Sequence, residues 1–427
     1  MANDTLWGHP KGLYILFLTE MWERFSYYGM RTLLVYYMIK HLMLPQADAS
    51  QIYGLYTGLV YFTPFFGGLL ADRFWGQRRT VIVGGVIMAA GHFCMAFESL
   101  FFPALALLIL GNGAFKPNIS TQVGGLYPPN DPRRDRAFSL FYVGINLGAF
   151  MSPLICGTLG EVYGWHYGFG AAGVGMVIGL GIYIWGLRWL GPDHLHQLPE
   201  IEAVPPATLA SDERQRIWGL LMICLITVLF WAAYEQQGNT IALWADTGTD
   251  RHIFGWEMPA TWFQSLNPMF IFMFAPVITA LWAWQARRSA EPSSATLMAM
   301  GCLLLGAAYL VLVTPANDYT AHGNPVSMWW LIGFNLVLTI GELYLSPVGL
   351  SLVCKLAPVR MVSMLMGVWF MTSFVGNYTA GYLGQFWEVL PKGYFFLMVA
   401  GVAGLAGVII LLLLKPLKRA IGGQAGI

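Results

Sequence analysis

Glu20, Glu23, Arg24 and Arg31 stand close together in the otherwise apolar run LYILFLTEMWERFSYYGMRTLLVYYM. Carboxylates can take up and release a proton, whereas guanidinium groups stay charged, so a proton arriving in such a set changes which groups pair. On a helix advancing about 100° per residue, Glu20, Glu23, Arg24, Tyr27, Tyr28 and Arg31 fall at roughly 0, −60, +40, −20, +80 and +20°. They share one face, about 16 Å long from Glu20 to Arg31. Glu20 and Arg24 form an i, i+4 pair, which leaves Glu23 in need of a second cation. Lys116, in GNGAFKPN, is the candidate: Gly111 and Gly113 allow close helix approach there and Pro117 opens the hydrogen-bond ladder. Two further acids, Glu235 in FWAAYEQQGN and Glu342 in GELYLSP, also sit in apolar surroundings.

The elements that must carry these groups are membrane spans. Of 427 residues, 57% are apolar, 15% aromatic and only 11% charged, against about 25% charged in soluble domains. Apolar stretches long enough to cross about 30 Å of hydrocarbon recur along the whole chain. Breaks at polar, Pro- or Gly-rich turns predict spans near 12–40, 51–72, 79–98, 100–122, 137–158 and 166–188, then 214–241, 262–285, 295–314, 327–354, 361–384 and 393–414. Twelve transmembrane helices as two six-helix bundles, 1–189 and 214–427 joined by a linker over 190–213, is the expected all-α integral membrane architecture. MANDTLWGHP lacks the basic region and cleavage site of a signal peptide, so the first span is expected to be retained.

Basic residues fix the expected orientation. Lys11, Arg73, Arg78, Arg79, Arg133, Arg134, Arg136, Arg188, Arg214, Arg216, Arg287, Arg288, Lys355, Arg360, Lys415, Lys418 and Arg419 fall on one side, against Lys40, Arg251 and Lys392 on the other. Both termini and the linker are therefore expected in the cytoplasm, with the chain multi-pass in a plasma membrane, the inner membrane if bacterial. Left within spans are Arg24, Arg31 and Lys116 in the first half, Glu20 and Glu23 beside them, and Glu235 and Glu342 in the second. A charge near the bilayer centre costs at least about 2.5 kcal/mol, so these groups should face a cavity and pair.

LTEMWERFSYYGMR resembles the ExxERFxYYG signature of the proton-dependent oligopeptide transporter family, a branch of the major facilitator superfamily. GGLLADRFWGQRR is similar to the superfamily's loop between spans 2 and 3, and GNGAFKPNIS, FYVGINLGA, FWAAYEQQGN, FQSLNP and GELYLSPVGLS are similar to family segments of spans 4, 5, 7, 8 and 10. The resemblance covers nearly the whole chain. It implies a proton-coupled symporter importing di- and tripeptides by alternating access between the two bundles, powered by the proton gradient, with no cofactor and no enzymatic activity. It implies that Glu20, Glu23, Arg24, Lys116 and Glu235 take part in coupling. Arg31 and Lys116 would meet the peptide carboxylate and Glu342 its amine, with Tyr27, Tyr28, Asn146, Trp231, Asn267, Ser346 and Trp369 as further substrate contacts. The same fold could instead carry nitrate, a drug or a peptide-like metabolite, or serve as a receptor without transport.

Two departures from the family stand out. Animal members carry a histidine on span 2 where this chain has Gly54, which leaves carboxylates to carry protons; His92 is expected to be a helix-packing residue. Many bacterial members insert two helices between the bundles, and the short linker here cannot hold them. Cys94, Cys156, Cys224, Cys302 and Cys354 are scattered without a disulfide or metal spacing. GFGAAG at 168–173 matches GxGxxG inside a span, without the strand before it that dinucleotide binding needs, and no Walker loop is present. No metal and no nucleic acid is expected, and the working unit is expected to be a monomer in the lipid bilayer.

Overall fold

The computed structural model describes residues 5–128, 131, 133–191, 211–288, 292–357 and 361–415. Most of the expected linker lies outside them, as do Arg360, Lys418 and Arg419. The described chain is nearly all helix. Nine of its helical segments are long and apolar enough to cross a membrane. The helix bearing Glu20, Glu23, Arg24 and Arg31 is not among the nine.

The chain divides into two compact units, Met1–Leu42 with Leu59–Val204, and Met43–Gly58 with Pro205–Ile427. In the first unit a two-residue hairpin, Thr5–Leu6 with His9–Pro10, leads into α1, Lys11–Lys40. Helix α2, Gln46–Phe62, is followed by α3, Pro64–Leu70, where Pro64 restarts the helix. A π turn, Ala71–Trp75, stops at Gly76, whose φ of 75° is cheap only for glycine. Then come α4, Gln77–Cys94, and α5, Phe101–Gly125, which keeps Pro117 in its interior. Helix α6, Arg133–Ser152, runs on through two π turns to Tyr163, and α7, Trp165–Gly186, starts after Gly164. Helix α1 packs against α6 and α7, and α4 against α5 and α7.

Small residues set how close these helices come. A methyl group on Gly148 of α6 would collide with the Met21 carbonyl of α1, so α6 passes directly behind the charged face. Likewise a Cβ on Gly111 of α5 would stand 2.8 Å from the Gly84 carbonyl oxygen of α4.

In the second unit, α8, Ser211–Tyr234, gives way to a 3-10 turn, Glu235–Gly238, before α9, Thr240–Thr247. The span expected over 214–241 is thus a broken helix. The break falls in EQQGN, where Gly238 and Asn239 favour leaving the α conformation and side-chain amides take over backbone bonding. Helix α10, Leu266–Arg287, is preceded by a 3-10 stretch from Ala260. Helix α11, Ser294–His322, is N-capped by Ser293 and ended by Gly323 at φ 73°. After it come α12, Met328–Leu356, α13, Val362–Gly384, and α14, Lys392–Leu412. Helix α11 packs on α12 and α14, α8 on α13 and α14, and α10 on α12.

The first half of α2 belongs to this second unit through buried polar groups. Gln46 donates to the Gly384 carbonyl at 2.8 Å, and Ser50 donates to Asn239 Oδ1 at 2.8 Å. Gln236 extends the ladder to the Ala380 carbonyl at 2.8 Å. Gly54 lies against Gly381, where an added Cβ would stand 2.6 Å from the Gly381 Cα. No histidine fits there.

Candidate functional site

Three of the charges on α1 are almost wholly buried: Glu20 is 1% exposed, Glu23 0% and Arg24 3%. Arg24 donates to Glu23 through both Nε and Nη2, the second bond being 2.7 Å long. The same Nε stands 3.3 Å from Glu20 Oε1. This reverses the pairing expected from helical spacing, which gave Arg24 to Glu20 and left Glu23 for Lys116. The long arginine stem curls back so that its planar fork meets a carboxylate edge, a geometry that outweighs i, i+4 proximity. Tyr27 lies under the guanidinium, with its ring centroid 5.1 Å from Cζ.

Helix α5 completes this cluster. Asn112 Nδ2 donates to Glu23 Oε1 at 3.3 Å. Lys116, one turn further on, has its ammonium 4.5 Å from the Tyr61 ring centroid, and its charge acts at Glu20. Arg31 lies two turns along α1 from Arg24, 5.8 Å from the Tyr28 ring centroid, and Tyr27 and Tyr28 meet edge to face at 5.1 Å. Glu20, Glu23, Arg24, Tyr27, Tyr28, Arg31 and Lys116 therefore form one cluster in the first unit. Asn146 on α6 is buried and bonds the Tyr142 carbonyl of its own helix at 3.0 Å.

The second unit holds a separate polar group. Asn267 at the start of α10 donates to Glu342 Oε2 of α12 at 2.8 Å and to Thr339 Oγ1 at 3.1 Å. The Tyr234 hydroxyl donates to Asn267 Oδ1 at 3.5 Å. Glu235, buried in the turn after α8, is near enough to Glu342 for their charges to interact, and also to Tyr309, whose hydroxyl donates to the Ala233 carbonyl at 2.7 Å. Ser346 is one turn beyond Glu342 and half-buried. Trp231 meets Tyr234 edge to face at 5.4 Å, and Trp369 of α13 fills the space over Gly349 of α12.

Sequence reasoning missed Asn112, Thr339, Tyr234 and Tyr309. The first was visible in outline, since Asn112 precedes Lys116 by four residues and so shares its helix face. Thr339 relates to Glu342 in the same way at three residues. Tyr309 gave no signal, because it reaches Ala233 from a distant helix.

Chemically, the first cluster can hold or release a proton at two carboxylates while three cations keep it net positive, and the second can accept a cation. The profile of the POT family matches residues 78–197 and 200–396. Peptide transporter YePEPT of Yersinia enterocolitica subsp. palearctica is 35% identical over 501 residues, covering 100% of this chain and 98% of the relative. A di-/tripeptide transporter of Lactococcus lactis subsp. cremoris is 32% identical, covering 99% of this chain and 98% of its own. Among solved structures, a peptide transporter POT in complex with sulfate superposes with a TM-score of 0.90 at 33% identity, covering 98% of this chain and 97% of the other. A POT family transporter in complex with 5-aminolevulinic acid gives 0.89 at 29% identity, with 97% and 98% covered. With full-length agreement in sequence and fold, the chain belongs to the POT family of multi-pass membrane transporters.

Proposed function

We propose that this protein is a proton-coupled symporter that imports di- and tripeptides by alternating access, with Glu20, Glu23, Arg24, Lys116 and Glu235 in coupling. The observation that carries this reading is the division of charge within the apolar helices: Arg24, Arg31 and Lys116 belong to the first unit, Glu235 and Glu342 to the second. A zwitterionic peptide offers a carboxylate to the one and an amine to the other. Nitrate has no use for an amine-binding carboxylate. Relatives whose names specify peptides support the same cargo. Tyr27, Tyr28, Asn146, Trp231, Asn267, Ser346 and Trp369 are proposed to shape the peptide site, with Arg31 and Lys116 on its carboxylate.

In the same reading the chain has twelve spans, both termini in the cytoplasm, domains 1–189 and 214–427, and no cofactor. Helices α1, α4 and α13 are the three added to the nine most apolar spans. Alignment with the Yersinia relative runs over 501 positions against the 427 residues here, which fits the lack of an inserted helix pair. Energy comes from the proton gradient: the membrane potential contributes about 2.3 kcal/mol per charge per 100 mV, or about fiftyfold accumulation. The deciding experiment is dipeptide, tripeptide and nitrate uptake into proteoliposomes at two external pH values. Peptide accumulation driven by an inward proton gradient is expected, and nitrate uptake without it refutes the reading.

A further inference from the structure

Asn112 of α5 is 0% exposed, and its amide has an asymmetric set of partners. Its Nδ2 donates to Glu23 Oε1. Its Oδ1 is buried with no hydrogen-bond partner among the described residues. A buried acceptor in that condition costs free energy, so the amide is held by one bond among the described residues, to Glu23, and its orientation follows what Glu23 offers.

Glu23 has two states to offer. An ionised carboxylate accepts hydrogen bonds only, whereas a carboxylic acid also donates one. Rotation of a side-chain amide by about 180° about its last torsion exchanges NH2 and C=O at nearly the same positions. We propose that Asn112 is a positioning residue that serves Glu23 in both protonation states, donating through Nδ2 to the carboxylate and, after rotation, accepting through Oδ1 from the acid. This rests on reading Glu23 as a proton carrier.

The pairing of Glu23 changes with its proton. With Glu23 ionised, Oε1 accepts from Arg24 Nη2 and Asn112 Nδ2. A proton placed on Oε1 becomes an O–H that points at Asn112 Oδ1, and Arg24 loses its hold on that oxygen. Arg24 Nε already stands 3.3 Å from Glu20 Oε1, and Glu20 Oε2 is buried with no partner among the described residues. One proton on Glu23 thus transfers the guanidinium towards Glu20. The other ionisable side chains of the cluster are Tyr27, Tyr28 and Arg31 on α1 and Lys116 on α5, and α6 and α7, which pack on α1, carry Tyr142 and Tyr183. Tyrosine, lysine and arginine ordinarily titrate at or above about pH 10, which leaves the two carboxylates as the groups that can exchange the proton.

The test uses the full chain in liposomes, with Asn112→Leu and the isosteric Asn112→Asp. The first readout is the infrared C=O stretch of protonated Glu23, assigned by difference from Glu23→Gln during a pH titration; it requires no cargo. The second is the pH profile of gradient-driven dipeptide accumulation beside counterflow exchange. In Asn112→Leu the C=O band is expected at higher frequency, as for an acid without an acceptor, with accumulation down at least about tenfold and counterflow within about twofold. In Asn112→Asp the titration midpoint should rise by about one pH unit, because a second carboxylate disfavours the charged form of Glu23. A band unmoved in Asn112→Leu, or a midpoint unmoved in folded Asn112→Asp, overturns the assignment. A wild-type chain without a titrating Glu23 band refutes the proton-carrier reading and this inference together. A titrating band without peptide accumulation refutes only the cargo, leaving Asn112 to be judged by the band.

Discussion

The Nε of Arg24 stands 3.3 Å from Glu20 Oε1 while the same guanidinium grips Glu23 by two bonds, so one cation serves two carboxylates unequally. Glu20 is the looser partner, and its Oε2 has no hydrogen-bond partner among the described residues. The inequality predicts different phenotypes for the two acids.

Glu23→Gln keeps a hydrogen-bonding side chain of the same size but removes the charge that holds Arg24. Uphill accumulation should be lost, the internal peptide concentration rising no higher than the external one, while counterflow persists, since exchange needs no net proton movement. Uptake against a peptide gradient in this variant would contradict the role of Glu23. Glu20→Gln, losing the weaker contact, should retain measurable accumulation with an altered pH profile.

Glu342 accepts a hydrogen bond from Asn267 Nδ2 at 2.8 Å, which orients its carboxylate. Glu342→Ala is expected to raise the KM for dipeptides at least about tenfold, the loss of one charge-assisted hydrogen bond. N-acetyl dipeptides, which lack the amine, should be transported equally poorly by wild type and variant. A variant that still discriminates between free and acetylated peptides would assign amine recognition to another residue.

Much of this was legible in the sequence. The charges on α1 announce themselves because a lipid environment makes each improbable, and the helical period places them on one face. Partner choice was not legible. Whether Arg24 turns to Glu20 or Glu23 depends on side-chain torsions and on α6 passing behind Met21 at Gly148, and neither is encoded in spacing. The break after Tyr234 was hidden for a related reason, since EQQGN reads as the polar end of a span until its side chains are seen bonding across to α2 and α13. Gly54 showed that histidine was absent, and the contact with Gly381 supplies the steric reason.

Gly148→Ala places a methyl group against the Met21 carbonyl and beside the Arg24 Cβ. Overpacking of this kind costs about 1–3 kcal/mol, so the melting temperature in detergent should fall and gradient-driven uptake with it. Gly181→Ala on α7, where nothing lies within 4 Å, is the control and should leave both unchanged or slightly improve stability.

Outside the spans, hydrogen bonds from Arg133 hold the Asp131 carboxyl down to about 2 in the turn between α5 and α6. A depressed acid contributes stability above its unfolded value near 4, and loses it only as pH falls through the folded value. The contact is therefore constant across the range in which transport is measured. Asp131→Asn should lower the melting temperature by no more than about 2 °C, equally at pH 5.5 and 7.5. A pH-dependent difference would mean that this turn takes part in proton sensing.

The ladder from Gln46 and Ser50 to Asn239 and Gly384 has a consequence for biosynthesis. Ser50 waits for a partner 189 residues downstream, and Gln46 for one 338 residues downstream. Until the ribosome has delivered α8 and α13, the first turns of α2 must present an amide and a hydroxyl without their final partners, at the edge of a solvent that cannot hydrogen-bond them. Nascent chains stalled before Asn239 are therefore expected to keep α2 beside the insertion machinery and to be degraded readily, and Ser50→Ala should ease release of those intermediates while weakening the finished protein.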